Sequence, residues 1–265
     1  MTIDPTARIA PQVELAADVE VGPWVIIDGP TSIGAGTRLL ARAYVGPYTT
    51  IGRHNLIGFG AVVGYDPQDY AFTGEESYTI IGDHNLIREY ATIHRGSKPG
   101  SATRLGNHNF IMALSHMAHN SQVGNHVVVV NGALVGGYVE VGDRAFVSAN
   151  CLLHQFIRVG TLAILRGGSR ASRDVPPYCI LDGTHTVRGV NLVGLRRAGF
   201  TREQIQALRQ AFRILFSRRV NLTEALARVE AEVPLTPEVQ HLLDFIRSSK
   251  RGVAMGAAEP GDAEF

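Results

Sequence analysis

Aliphatic residues recur at every sixth position from Ile3 onward. Ile9, Leu15, Val21, Ile27, Ile33, Leu39, Val45, Ile51, Ile57 and Val63 follow without a miss. The register resumes at Ile81, Ile87 and Ile93, then runs from Leu105 to Leu165, with Met117 the one non-aliphatic member. Asp69, Glu75 and Pro99 break it. The column two residues earlier holds small or β-branched residues such as Ala7, Val13, Thr31, Thr37, Ser115 and Ser121. Residues two apart on a strand share a face, so each hexad predicts a short strand with two inward side chains. The slot after the aliphatic residue is often Gly, as at Gly22, Gly34, Gly52, Gly106, Gly124 and Gly142. Gly there permits a sharp corner or a positive φ at no steric cost. One coil cannot bury its inner face alone, whereas stacked coils can. The pattern therefore predicts an all-β solenoid of hexapeptide repeats, with three hexads per turn and parallel sheets on three sides. A β-sandwich does not predict a fixed six-residue register.

Where the register fails, residues 64–80 and 94–104 are polar or aromatic and are expected to leave the solenoid as loops. Loops on a rigid scaffold commonly carry function, and Asp69 is the carboxylate of interest in the first. A solvated turn Asp is the alternative reading. After Asn191 the period stops. Thr201-Arg202-Glu203-Gln204 reads as a capping box that opens a helix to about Arg218. Asn221 or Thr223 caps a second helix to about Val233, and Thr236-Pro237 opens a third that ends near Lys250. The expected layout is a β-helix over 1–190, a small C-terminal α-helical domain over 191–251, and a disordered tail over 252–265.

Composition narrows the class. Cys151 and Cys179 are the only cysteines, so at most one bridge is possible, and buried free thiols in a reducing compartment fit best. No stretch approaches a membrane span, and the N-terminus lacks a signal-peptide pattern, so a cytoplasmic protein is expected. The net charge of +1 hides an asymmetry. Residues 158–219 hold 12 Arg, no Lys and three acids, a local +9, which leaves −8 for the remainder. A solvated surface is the plain reading, and a docking face for an acidic partner is the functional one. Nothing resembles a nucleic-acid-binding motif.

Histidines divide by slot. His54, His84, His108 and His126 each follow Gly by two residues, which marks them as exposed turn residues. His94 and His154 instead occupy the corner slot where Gly, Asp or Ala is usual. A ligand contact or packing against a neighbouring coil would each explain an imidazole there. His116 and His119 flank inward-facing Met117, with Asn120 directly after. A zinc site of the γ-carbonic-anhydrase kind would need a third ligand from elsewhere, and no Glu base stands beside them. No cofactor or metal is expected.

The motifs Thr92-Ile93-His94-Arg95-Gly96, His116-Met117-Ala118-His119, His154-Gln155-Phe156, Asp174-Val175-Pro176-Pro177-Tyr178, and Gly189-Val190-Asn191 followed by Gly194-Leu195-Arg196-Arg197 carry a resemblance over about residues 3–250. The chain resembles the UDP-N-acetylglucosamine O-acyltransferases that begin lipid A biosynthesis. The resemblance implies a left-handed parallel β-helix and a homotrimer with sites between adjacent prisms. It implies that His119 is the base that deprotonates the sugar 3-hydroxyl as it attacks a 3-hydroxyacyl thioester on acyl carrier protein. Gly137 would donate its backbone N–H to the oxyanion. Asp69, His94, His116, His154, Gln155, His185, Asn191 and Arg197 would contact the UDP-sugar, and Gly167 would set acyl length. Three departures stand out: Asn120 where Asp is usual, Ala71 where Lys is typical, and Tyr138 where His is typical. They surround the acceptor, and leave open a 3-amino analogue of the sugar that would yield an amide. A zinc enzyme and a non-catalytic trimeric scaffold are the remaining alternatives.

Overall fold

A computed structural model describes residues 2–216 and 221–256. Its body is a three-sided prism of stacked coils. Among the described residues its sides are parallel sheets of twelve, nine and eight strands, apart from one antiparallel pairing of Cys179–Leu181 with Thr186–Val190 near the top of the first side. The chain visits the first, second and third side in turn. Leu56–Ile57 lies on the first side, Val62–Tyr65 on the second and Tyr78–Ile81 on the third. Residues eighteen apart pair, as Ile3 does with Val21 and Val21 with Leu39. Two coils are longer: Ile57 pairs with Ile87, and Ile87 with Ile111. These offsets of thirty and twenty-four exceed eighteen by twelve and six. Both insertions are multiples of six, so the hexad count survives them.

The inward column forms the core. Ile27, Leu39, Ile51, Ile57, Ile81, Ile87, Ile93, Ile111 and Met117 are all fully buried. Each such side chain contributes roughly 1.5–3 kcal/mol of hydrophobic stabilisation. Glycine in the corner slot serves close approach. A Cβ on Gly46 would lie 2.1 Å from the carbonyl oxygen of Gly64 in the next coil. Of the two uses expected of Gly at that slot, the sharp corner is the general one; positive φ occurs there at Gly64 (77°) but falls mostly two residues later, on residues such as Trp24, Tyr48, His54, His84 and Asn120 with φ of 54–61°.

Stacking lines up equivalent residues. Asn55, Asn85 and Asn109 form a buried ladder, in which each side-chain oxygen accepts a backbone N–H from the next coil. Outside it, His54, His84, His108 and His126 are exposed, as expected, and their rings stack at 4.8–4.9 Å.

The loops are shorter than expected, spanning 66–77 and 95–101. Residues 64–65 and 78–80 belong to strands Val62–Tyr65 and Tyr78–Ile81, and His94 and 102–104 to Thr92–His94 and Ala102–Leu105. Among the described residues four helices follow the prism. A short α1, Leu192–Arg197, was not foreseen. It is followed by α2, Arg202–Leu215, with the expected capping box, by α3, Leu222–Glu232, capped by Asn221, and by α4, Pro237–Arg247, capped by Thr236. The expected α2 end at Arg218 lies outside the described residues. Among the described residues no helix is long and apolar enough to cross a membrane. The expected disorder from Gly252 is corrected for its first part. Val253 and Ala254 are buried, Ala254 donates its N–H to the Asp174 carbonyl, and Met255–Gly256 pairs with Thr186–Val187. Residues 257–265 of that tail lie outside the described set.

The asparagine ladder makes a prediction. Asn85→Ala leaves the buried Asn109 N–H without its acceptor. The loss should be about 1–3 kcal/mol, read as a lower urea midpoint at unchanged slope. An unchanged midpoint would show that the ladder adds nothing to stability.

Candidate active site

Both loops leave the prism at the edge between its second and third sides. The corners 118–120, 136–138 and 154–156 lie on that same edge in consecutive coils. Stacking therefore places the loops directly below His119, and Gly137 and Gln155 above it.

His119 is 6% exposed. Its Nδ1 lies 3.0 Å from Asn120 Oδ1. That oxygen also accepts the backbone N–H of Ser97 at 3.0 Å and the Ser97 hydroxyl at 3.2 Å. A backbone N–H can only donate, so the amide oxygen must face these groups. His119 Nδ1 must then carry its proton, which leaves Nε2 as a basic lone pair. The Asn120 backbone N–H is in turn held by Thr103 Oγ1 at 2.7 Å. A Cβ on Gly137 would sit 2.8 Å from His119 Cε1 and Nε2. Only glycine leaves room there for the imidazole. The Gly137 N–H makes no hydrogen bond among the described residues.

Around this base the charges are sorted. Asp69 Oδ2 lies 3.9 Å from His119 Nε2. Its carboxyl is held below the usual carboxylate range by the Ala71 backbone N–H and by Ser97, against a small opposing effect of burial. Burial pushes His94 down to about 4, with the neighbouring His116 adding to the effect. Burial lowers His116 as well. Its Nδ1 is 2.7 Å from Thr92 Oγ1. Tyr138 sets its ring edge-on to His119 at 5.4 Å and stacks on Phe156 at 4.8 Å. A hollow of about 550 Å³ borders Asn120, Tyr138 and Phe156. A second, of about 600 Å³, lies on the third side beneath His241 and Phe245 of α4, away from the base.

The structure thus brings Asp69, His94, His116, His119, Asn120, Gly137, His154 and Gln155 to one edge. His154 and Gln155 are exposed there. The other expected residues lie elsewhere in the chain. Gly167 sits at the corner between the first and second sides, where a Cβ would meet only the Ala149 carbonyl oxygen at 3.6 Å. His185 contacts Ser172. Asn191 caps α1, its oxygen accepting from Gly194 N–H and its amide donating to the Leu162 carbonyl. Arg197 is exposed in the last turn of that helix. Ser97 and Thr103, which hold Asn120, were not foreseen, because a loop Ser and a strand Thr look ordinary in sequence. Among the described residues no group of three or more His, Cys, Asp or Glu side chains is placed to hold a metal.

A coiled prism of hexads with an imidazole on its looped edge is the architecture of the hexapeptide-repeat proteins, and comparisons with known proteins place the chain among their transferases. The family model "Bacterial transferase hexapeptide (six repeats)" matches residues 102–137. The model "Udp N-acetylglucosamine O-acyltransferase; Domain 2" matches residues 174–254. An acyl-[acyl-carrier-protein]--UDP-N-acetylglucosamine O-acyltransferase of Syntrophobacter fumaroxidans is 41% identical over 256 residues, 96% of this chain and 99% of that protein. One from Stutzerimonas stutzeri is 40% identical over 255 residues, 95% and 98% of the two chains. The crystal structure of the UDP-N-acetylglucosamine acyltransferase LpxA of Bacteroides fragilis superposes with a TM-score of 0.92 at 43% identity, covering 95% of this chain and 99% of that one. The Arabidopsis enzyme gives 0.86 at 33% identity, with 95% and 99% covered. The chain belongs to the UDP-N-acetylglucosamine O-acyltransferase family, and its fold is the left-handed parallel β-helix with a C-terminal helical domain.

His94 yields a pH prediction. Its pKa is lower folded than unfolded, so between about pH 6.5 and 4 the unfolded chain binds the extra proton. Its contribution is complete above that window and is lost as pH falls through it. From pH 7 to 5 the wild type should lose up to about 2 kcal/mol more stability than His94→Gln, measured by urea unfolding at each pH. Parallel losses would show that His94 titrates alike in both states.

Proposed function

We propose that this protein is an acyltransferase that moves a 3-hydroxyacyl chain from acyl carrier protein to the 3-hydroxyl of UDP-N-acetylglucosamine, the first step of lipid A biosynthesis. The observation that carries the reading is the tautomer of His119, fixed by Asn120 with Nε2 free beside Asp69. Nε2 takes the hydroxyl proton as the sugar oxygen attacks the thioester carbonyl. The Gly137 N–H faces the developing oxyanion, a type of contact worth about 3 kcal/mol. Collapse of the tetrahedral intermediate expels the thiolate, which regains the proton from the imidazolium. The products are the O-acyl sugar nucleotide and free acyl carrier protein. Asp69 binds the sugar, with His94 and His116 lining its pocket as neutral imidazoles.

Homotrimer formation is supported by the outer faces. The first side carries Leu56, Leu86, Phe110, Val128, Phe146, Ile164 and Ile180 in register. The second carries Tyr44, Val62, Leu134 and Leu152 beside His116, whereas the third carries Arg104, Gln122, Glu140 and Arg158. Trp24, Tyr90 and Leu114 are exposed where the apolar faces meet. Apolar surface this extensive marks an interface. If the first face of one copy meets the second face of the next with a threefold rotation, a closed ring of three results. A site beside the second face then lies between subunits. There Gly167, His185, Asn191 and Arg197 of a neighbour complete it. Gly167 leaves room for a long acyl chain, and the Arg-rich top docks acidic acyl carrier protein. The buried free thiols suit a cytoplasmic setting.

Asn120 orients the base without adding charge, which left an amine acceptor open. The curated relatives are named O-acyltransferases, and that favours oxygen.

Three outcomes follow. Purified protein with 3-hydroxymyristoyl-acyl carrier protein should acylate UDP-N-acetylglucosamine by mass spectrometry; turnover of only its 3-amino analogue would overturn the ester reading. His119→Ala should lower kcat by roughly 10²–10⁴ while the protein stays folded and sediments at about three times the 28.6 kDa chain mass. Asn120→Asp should move the acidic limb of the kcat/KM profile to higher pH, because a carboxylate stabilises imidazolium. An unmoved limb would mean that residue 120 does not touch the base electrostatically.

A further inference from the structure

Among the described residues, Arg95 is a buried charge left largely unpaired. It is 5% exposed, yet its Nε and Nη1 have no hydrogen-bond partner among the described residues. Its one ion pair runs from Nη2 to Asp66 Oδ1 at 2.7 Å, and that carboxylate is more than half exposed. The guanidinium lies 5.1 Å from the Phe72 ring and 5.6 Å from the Tyr48 ring. Its backbone N–H donates to the Tyr65 carbonyl. Burying a charge so poorly paired costs free energy that a hydrophobic side chain would avoid. Such a cost persists where the residue does something else.

What Arg95 touches points to its role. Asp66 and Phe72 stand on either side of Asp69 in the 66–77 loop. Asp69 itself is tied by its own turn: its carboxylate accepts the Ala71 N–H and its carbonyl the Phe72 N–H. Phe72 is thus joined to Asp69 by a backbone hydrogen bond and to Arg95 by its ring. Two residues beyond Arg95, Ser97 holds Asn120. One side chain therefore fixes the acidic loop relative to the loop that orients the base.

We infer that Arg95 is a positioning residue, a clamp that holds the 66–77 loop so that Asp69 faces His119. The inference rests on the proposed acyl transfer and adds to it a residue that touches neither substrate. The planar guanidinium lies against two rings while pairing with a carboxylate, a combination an ammonium does not reproduce.

A test couples Arg95 to Asp69. Arg95→Gln should lower kcat/KM for UDP-N-acetylglucosamine by about ten- to a hundredfold, the scale of a small misplacement at a reacting centre. It should leave the KM for acyl carrier protein unchanged. In an Asp69→Ala background the same change should cost less than about threefold, since what it positions is gone. Chymotrypsin, which cuts after Tyr70 and Phe72, should open the loop faster in Arg95→Gln, and Arg95→Lys should restore loop protection only in part. If Arg95→Gln does not fold, Asp66→Asn breaks the same ion pair from its exposed end and should couple to Asp69→Ala in the same direction. A full loss of activity repeated in the Asp69→Ala background would overturn the clamp and leave a general structural role. Unchanged loop cleavage with normal activity would also overturn it. A wild type with no turnover would instead remove the proposed function and, with it, Arg95's part in catalysis; the cleavage rates would still report whether the clamp exists.

Discussion

Coils stacked one strand spacing apart leave no freedom inside the prism. Every inward side chain rests on its counterpart about 4.8 Å away, so each coil must repeat its neighbour. The asparagine ladder and the stacked histidines follow from this repetition. So do the corner glycines, whose Cβ atoms would strike the next coil. Whatever differs from the repeat has to leave at an edge. Both insertions do so at the same edge, directly below His119.

The base is built by the same geometry. On a straight strand His119 and Asn120 would point to opposite faces. Asn120 instead has φ of 61°, a conformation that Asn tolerates better than most residues. The bend turns its amide back to the ring beside it. Thr103 holds its backbone and Ser97 its oxygen, each from a coil below. Gly137 from the coil above leaves the ring its space. Three coils therefore fix one tautomer, and a register slip in any of them would release it.

Much of this was legible in sequence, because a period of six has a single geometric meaning. Coil, inward column and loop positions all follow from it. The loop ends did not, since strand pairing extends past the last periodic residue at Tyr65 and before the next at Tyr78. Sequence left open whether the corner Gly serves a sharp corner or positive φ, because Gly marks crowding as readily as it marks positive φ. Helix α1 was missed because Asn191 was read for its ligand, whereas its side chain caps a helix. The segment from Gly252 looked too small and polar to pack, yet its backbone pairs with the prism, and backbone pairing leaves no trace in composition. Of the site, His94 and His154 stood out by breaking the corner rule, and His116 and His119 by flanking inward-facing Met117. Ser97, Thr103 and Arg95 did not, because their importance lies in which coil they sit beneath.

The neutral Asn120 raises the question of where the imidazolium finds its counter-charge. Burial lowers both His94 and His116, which weakens them as competitors for the proton. Asp69 stays ionised, held by the Ala71 N–H and Ser97, and its oxygen is 3.9 Å from Nε2. The negative charge thus stands on the Nε2 side of the ring, and the Nδ1 side supplies only direction. The ionised carboxylate has no proton to donate to Nε2, so the lone pair of that nitrogen remains open. Orientation and charge, which a single Asp beside the base would combine, are divided here between Asn120 and Asp69. The division requires that the loop bearing Asp69 be held as firmly as the strand bearing His119.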